Sequence, residues 1–324
     1  MWSLPRRCSF VCQNNLLQLQ SLAVNDKKLI IIQGPTASGK TALSIALAQH
    51  FNTEIISGDS RQFYQEMIIG TARPSIEELS LVKHHFISSH SIKNEFNTAD
   101  FSREARLLCA NLFESKDQVI LVGGSGMYID AMTYGLDEIA ADESIRQTLN
   151  QTYENQGLAV LVDELREKDP EFCLSADLKN PVRVIRALEV IRMTNQPYSI
   201  QRKGFKNDLP YDIIRFSIAW KREGLYDRIN LRVDEMITNG LVEEVKGLQQ
   251  FQSLSPLKTL GYSEIFDVLN KKCSLETATE KIKQHTRNYA KRQMTWLRRY
   301  SNVHVLDPYS KESLLSQVIA KIDE

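Results

Sequence analysis

Gly34-Pro-Thr-Ala-Ser-Gly-Lys-Thr41 constrains this chain more than any other stretch, because it meets the pattern G-x-x-x-x-G-K-[ST] at every fixed position. Its surroundings agree. Lys28-Leu-Ile-Ile-Ile-Gln33 before it is a short apolar run of buried-strand type, and Ala42, Ile45, Ala46 and Ala48 after it lie among good helix formers. Strand, glycine loop and helix in that order form a nest for oxyanions: Gly34 and Gly39 let successive N–H groups turn inward, and the helix starting near Lys40 adds its positive end. On this reading Gly34, Pro35, Thr36, Ala37, Ser38 and Gly39 wrap a di- or triphosphate. Lys40 reaches the outer phosphate, and the Thr41 hydroxyl ligates Mg²⁺.

Thr53-Glu-Ile-Ile-Ser57 reads as a second strand, running into Gly58-Asp59-Ser60-Arg61-Gln62. A polar cluster at the carboxyl end of a strand lies where α/β sheets hold their ligands. A carboxylate there orients Mg²⁺ or takes a proton from an acceptor, whereas a lone Asp in such a connection otherwise caps a helix. The anion loop demands a reaction partner, which favours the catalytic role for Asp59. Ile69–Pro74 reads as a loop, with Arg73 either a surface charge or a phosphate contact. Asn97–Phe101 offers caps to a helix over Ser102–Phe113, and Gln118–Val122 is a third buried strand ending in Gly123-Gly-Ser-Gly-Met-Tyr128. Ser125 there is a candidate substrate contact, while Met127 and Tyr128 are expected to pack the following helix. Strands alternating with helices, each ending in a polar or glycine-rich turn, predict an α/β fold built on a doubly wound parallel sheet.

The pattern changes near Gly135. From Asp142 to Thr194 only helical periodicity is found, which predicts a helical insertion over 136–204 hung on a core of 27–135 and 205–324. Residues 1–26, with Arg6 and Arg7 and no acid before Asp26, read as an N-terminal extension lacking the continuous apolar centre of a secretory signal. Arg183 and Arg186 share a helical face. Pro210–Trp220 returns to strand composition, and a helix over Leu225–Leu248 carries Arg228 and Arg232 at i, i+4 spacing. Between Lys281 and Arg299 there are seven Lys or Arg, plus His285, and no acid. Lys283, Arg287 and Lys291 form one row of that helix, and Ile282, Tyr289, Ala290, Trp296 and Leu297 much of another face. A basic stripe backed by an apolar face suits a phosphodiester backbone, although the same pattern also describes a solvated helix.

Composition narrows the partners. Lys and Arg balance Asp and Glu at 40 each, so a polyanion must be met by cations gathered locally. Five cysteines without a C-x-x-C pair argue against a disulfide framework or zinc site and for a reducing cytoplasm. The apolar runs are too short to span a membrane.

Taken in order, Gly34–Thr41, Ile56-Ser-Gly-Asp-Ser-Arg-Gln-Phe-Tyr64, Gly70-Thr-Ala-Arg-Pro74 and Gly123-Gly-Ser-Gly-Met-Tyr-Ile129 resemble the motifs of the tRNA dimethylallyltransferases. So do Arg183-Val-Ile-Arg-Ala-Leu-Glu189, Leu260-Gly-Tyr262 and Ala290-Lys-Arg-Gln-Met-Thr-Trp-Leu-Arg298. The resemblance runs from about Lys28 to Leu306 and, without the zinc finger of eukaryotic members, is to a bacterial-type or organellar form. Ser125 stands where the family usually has Thr, and keeps the hydroxyl. Lys83-His84-His85-Phe86-Ile87-Ser88 stands where it has Pro-His-His with a later Asp.

The resemblance implies transfer of a dimethylallyl group from dimethylallyl diphosphate to N6 of the adenine beside the tRNA anticodon, with Mg²⁺; separately, a monomer that binds no membrane is expected. Asp59 would be the general base, with Lys40, Thr41 and Mg²⁺ on the diphosphate and Arg232 assisting from the opposite side, Arg228 being the alternative. Ser60, Arg61 and Gln62 would contact the nucleotide, and Ser125 and Arg146 the RNA. Val182, Arg183, Val184, Ile185, Arg186, Lys258, Gly261, Tyr262, Lys291, Arg292 and Arg298 would grip the stem-loop. Two other readings share the anion loop: an adenylate isopentenyltransferase, and a P-loop small-molecule kinase. The helical insertion and basic stripe speak against the first. The second needs an acid after the third strand, where Gly123 and Gly124 stand.

Overall fold

The structure, a computed structural model, describes residues 27–137, 139–202 and 209–323. The N-terminal extension lies outside them. Six strands form one parallel sheet: β1 (Lys28–Gln33), β2 (Ile55–Ser57), β3 (His84–His85), β4 (Gln118–Gly123), β5 (Asp212–Ile218) and β6 (Val303–Leu306), in the order β3-β2-β4-β1-β5-β6. β1 pairs with β4 on one side and β5 on the other, so the connections leaving it and β4 open at the point where the strand order reverses.

Alternation along β1 explains why it sits at the centre. Leu29 and Ile31 face one layer of the core, with Phe63, Phe101 and Ile129; Ile30 and Ile32 face the other, with Leu43, Leu47 and Phe216. All four are fully buried, which is why the run reads as continuous apolar rather than alternating. Truncating any of them to Ala should cost about 2–5 kcal/mol, since such a core relaxes only partly into a cavity.

Local signals set the helix ends. Asn97 accepts from the N–H groups of Ala99 and Asp100 and starts Thr98–Phe113 in a full capping box, four residues before the predicted start. The single helix predicted over Leu225–Leu248 is two, Arg222–Thr238 and Leu241–Gly247. Gly240 between them has φ 97°, a left-handed conformation that ends one helix and re-aims the next. Ser274 caps the longest helix, Leu275–Leu297, which carries the basic stripe. β3 and β6 escape the sequence reading because strands of two and four residues are too short to show a period.

The chain divides into two compact units, Met1–Thr133 with Asp208–Glu324, and Tyr134–Asn207. Within the second, Glu143–Gln156, Leu158–Lys168 and Pro181–Thr194 pack Leu149, Leu161, Leu165, Val184 and Leu188 into a core of their own. Among the described residues, no helix is long and apolar enough to cross a membrane, and Cys109, Cys173 and Cys273 are free thiols.

Candidate active site

Three connections meet at the carboxyl ends of β1, β2 and β4. The first is the anion loop, in which Gly39 takes φ 94° as the cap of the helix Lys40–His50 and Ala37 takes φ 62°. Its outside is fixed by Trp220, whose Nε1 donates to the Ser38 carbonyl at 2.9 Å, and by Arg228, whose Nε donates to the Ala37 carbonyl at 2.7 Å. On the inner side Lys40 Nζ donates to the Pro35 carbonyl at 2.7 Å. The second connection places Asp59, whose carboxylate accepts from the Arg61 N–H at 3.2 Å, an Asx turn that aims the acid back over the sheet. The third, after β4, approaches so closely that a Cβ on Gly123 would lie 2.5 Å from the Gly58 carbonyl oxygen. Only glycine fits there. Ser125 accepts from the Ser60 N–H and bonds its hydroxyl, both at 3.1 Å, joining the second and third connections.

One pocket is lined by Thr36, Lys40, Thr41, Asp59, Arg61 and Arg232, with Tyr289 and Gln293 also in its lining. Burial lowers the Lys40 pKa to about 8, opposed by the nearby Asp59 charge and reinforced by Arg232. Arg232 is likewise pulled down to about 10 by burial, with Asp59 again opposing. Two desolvated cations, with Arg61 and Arg228 also acting on Arg232 and only Asp59 and Glu235 to offset them, are short of negative charge. That is the electrostatic state of a site made for a polyanion.

Arg232 Nη1 donates to Thr36 Oγ1 at 3.1 Å and Nη2 to the Ala72 carbonyl at 3.2 Å, so it faces the inside of the loop. Arg61 and Gln62, expected to meet a nucleotide, both line this pocket and both hold the 70–72 segment. Arg61 Nη2 donates to the Gly70 carbonyl at 3.2 Å and also to that of Leu260, and Gln62 Nε2 to the Ala72 carbonyl at 3.3 Å.

Mg²⁺ takes oxygen ligands and keeps several waters, most of its shell coming from substrate phosphates. Among the described residues no group of three or more His, Cys, Asp or Glu is placed to hold a metal, which is no obstacle to an ion held mainly by a diphosphate. Thr41 and Asp59 line the pocket together. His84, also on its wall, gives Nδ1 to the Val82 carbonyl at 2.9 Å, and its buried Nε2 has no protein partner. Burial lowers the His84 pKa, so Nε2 is an acceptor awaiting a hydrogen such as a metal-bound water supplies. The residues fit the ion.

Several expected RNA contacts change character. Val184 and Ile185 are buried in the core of the helical unit, because their positions on Pro181–Thr194 face its neighbours; Val182 and Arg183 stay exposed. Arg146 Nη2 and Arg186 Nη1 lie 3.0 and 3.1 Å from Oε1 of Glu189, a fully buried carboxylate, so both also serve the fold of the helical unit, with Arg146 still 38% exposed. Gly261 and Tyr262 are buried too, with the Tyr262 hydroxyl donating to Glu244. Within the basic row, Lys283 is taken by Asp234 at 2.8 Å and Arg287 by the side-chain Oδ1 of Asn230 at 2.6 Å. Lys291, Arg292, Arg298 and Lys258 remain exposed. Met127, expected to pack, is 52% exposed, while Tyr128 does pack against the core.

Two residues went unassigned in the sequence. Gln293 Oε1 accepts the Thr36 N–H at 2.8 Å and Nε2 donates to the Gly124 carbonyl at 3.0 Å. The signal was a polar side chain on the face of Ile282 and Ala290, where an apolar one is expected. Glu244 accepts the N–H groups of Ile68, Ile69 and Gly70 at 3.0, 2.7 and 3.1 Å. No local pattern announces that pairing.

The sequence pattern of the IPP transferase family matches residues 62–300. A tRNA dimethylallyltransferase of Christiangramia forsetii is 47% identical over 84% of this chain and 90% of its own. That of Cytophaga hutchinsonii is 41% identical over 92% and 99%. Among solved structures, the tRNA isopentenylpyrophosphate transferase of Bacillus halodurans aligns with a TM-score of 0.66 at 36% identity, covering 92% of this chain and 95% of that one. These relatives favour the tRNA reading over the free-nucleotide and kinase alternatives.

Proposed function

This chain belongs to the tRNA dimethylallyltransferase family, and from that membership we propose how its pocket carries out the reaction. The protein transfers a dimethylallyl group to tRNA. The donor is dimethylallyl diphosphate and the acceptor is N6 of the adenine 3′-adjacent to the anticodon. N6 attacks C1 of the allyl group, the C1–O bond breaks with its electron pair leaving on diphosphate, and the N6 proton passes to Asp59.

An exocyclic adenine amine is a weak nucleophile, because its lone pair is delocalised into the ring. The work therefore falls on the leaving group and the proton. Loop N–H groups from Ala37 to Thr41, with Lys40 and Arg232, hold the diphosphate and take up the charge developing on it. Thr41 would hold Mg²⁺, which would supply further neutralisation of that charge when bound. The observation that carries this reading is the lining of one pocket by Lys40, Arg232 and Asp59 together. The adenine leaves its stack to reach Asp59. Ser60 and Ser125 meet the nucleotide, and the exposed Lys258, Lys291, Arg292 and Arg298, with Val182 and Arg183 of the helical unit, contact the stem-loop. The enzyme acts as a monomer, and the three free thiols among the described residues suit a reducing cytoplasm.

The test is mass analysis of an anticodon stem-loop incubated with protein, Mg²⁺ and dimethylallyl diphosphate. A gain of one dimethylallyl group at the predicted adenine is expected. Nucleotide hydrolysis without RNA modification would overturn the assignment.

A further inference from the structure

Gln293 lies 7% exposed on the inner face of the helix Leu275–Leu297, between two loops distant in sequence. One end of its carboxamide accepts the N–H of Thr36, within the anion loop. The other donates to the carbonyl of Gly124, next to Ser125. The fit leaves no slack: a Cβ at Gly124 would stand 2.1 Å from Gln293 Nε2. Thr36 in turn accepts Arg232 at its hydroxyl, so the same contact sets where that guanidinium meets the pocket.

We propose that Gln293 is a positioning residue that fixes the distance between the loop holding the leaving diphosphate and the loop facing the acceptor adenine, and so aligns the two substrates for attack. The proposal rests on the functional assignment above for the roles of the two loops. A carboxamide suits the task because it offers an acceptor and a donor on one rigid plane, matched to one N–H and one C=O. No other uncharged side chain of that length does so. Neither substrate needs to touch it. Removing it frees the anion loop and the Gly124 loop to shift against one another while Lys40, Arg232 and Asp59 are all retained, and an in-line displacement is sensitive to that shift: a misplacement of about 1 Å can cost roughly 10²-fold.

Gln293→Met keeps the volume and loses both bonds. Its kcat on an anticodon stem-loop should fall by about 10²-fold. The Kd for inorganic pyrophosphate with Mg²⁺, its binding stoichiometry by calorimetry, and the RNA Kd should each stay within about threefold, as expected when binding surfaces are kept and only a transition-state interaction is lost. Gln293→Glu keeps the acceptor for Thr36 but sets a second acceptor against Gly124 until it is protonated. Its kcat relative to wild type should therefore rise as pH falls from 8 to 6, a response that a general loss of folding would not give. A Gln293→Met enzyme with kcat within threefold of wild type, a loss accounted for by weaker pyrophosphate or RNA binding, or a Gln293→Glu profile parallel to wild type would each overturn the proposal. Should Gln293→Met not fold, the Gln293→Glu profile decides alone. Wild-type protein that fails to prenylate RNA would instead refute the functional assignment.

Discussion

The Tyr262 hydroxyl donates to the Glu244 carboxylate at 2.6 Å, and the same carboxylate accepts three successive backbone N–H groups, from Ile68 to Gly70. Four donors converge on one acid, while Arg61, Gln62 and Arg232 hold the carbonyls of the same loop from the pocket side. Glu244→Ala strips that loop of its anchor and should cost about 2–4 kcal/mol, on the scale of charge-assisted hydrogen bonds lost from buried donors. Tyr262→Phe removes one donor and should cost about 1–2 kcal/mol. Urea melts of both variants check the ranking, and equal losses would mean the backbone bonds contribute nothing.

Close glycines make a second contrast. Gly123→Ala forces a methyl against the Gly58 backbone at 2.5 Å, where two strands of the sheet cannot part without moving the pocket. A loss of about 1–3 kcal/mol is expected from overpacking, with activity falling further than stability alone predicts. Gly247 has open space where its Cβ would be, and Gly247→Ala should be neutral or stabilising by up to about 1 kcal/mol. Calorimetric Tm values for the pair test this.

What could be read ahead of the structure was local. The anion loop, the strands β1, β4 and β5 and the polar turn at Asp59 each carry their signal within about ten residues, as period, glycine placement or capping does. Interactions across long sequence separations left no such mark. Gln293 meets Thr36 from 257 residues away, and Glu244 meets Gly70 from 174. Charge was the weakest guide, because a cation's spacing on a helix does not say whether a partner waits opposite. Lys283 and Arg287 looked like Lys291 in the sequence, yet Asp234 and Asn230 hold them.

Asp59 is the one carboxylate among the residues that line the pocket. Asp59→Asn keeps its shape and its acceptor for the Arg61 N–H but cannot take a proton. Turnover should fall by about 10²–10⁴-fold, the range for loss of a positioned general base. Pyrophosphate binding should hold or tighten, because Lys40 and Arg232 lose a competing anion. Titration calorimetry alongside single-turnover assays separates the two effects; weakened pyrophosphate binding with normal turnover would reassign Asp59 to the donor side.

In the helical unit, hydrogen bonds from Arg192 hold the Glu164 pKa below its ordinary value, burial opposing, with Lys168 adding to the Arg192 effect. A depressed folded pKa means stability present above the unfolded value of about 4.3 and lost as pH falls through the folded one. The pair is partly exposed, so its worth is at most about 1 kcal/mol. Glu164→Gln should therefore melt slightly below wild type at pH 6, and the gap should close on acidification as pH falls through the depressed Glu164 value and the wild-type carboxylate protonates. A gap that widens on acidification would contradict the sign.

The basic helix separates cations that are spent from cations that are free to meet phosphate. Lys283 and Arg287 are bonded to Asp234 and Asn230, whereas Lys291, Arg292 and Arg298 stand exposed. Counterion release makes the distinction measurable, since each phosphate neutralised contributes about −0.7 to −0.9 to the slope of log K against log salt. The triple change Lys291→Gln, Arg292→Gln and Arg298→Gln should flatten that slope for a tRNA by about 2–3. Lys283→Gln with Arg287→Gln should leave the slope unchanged while lowering Tm, because those side chains serve the fold. Filter binding between about 50 and 200 mM salt resolves such differences. A slope that responds to the inner pair and not to the outer three would place the RNA on the opposite face of the helix.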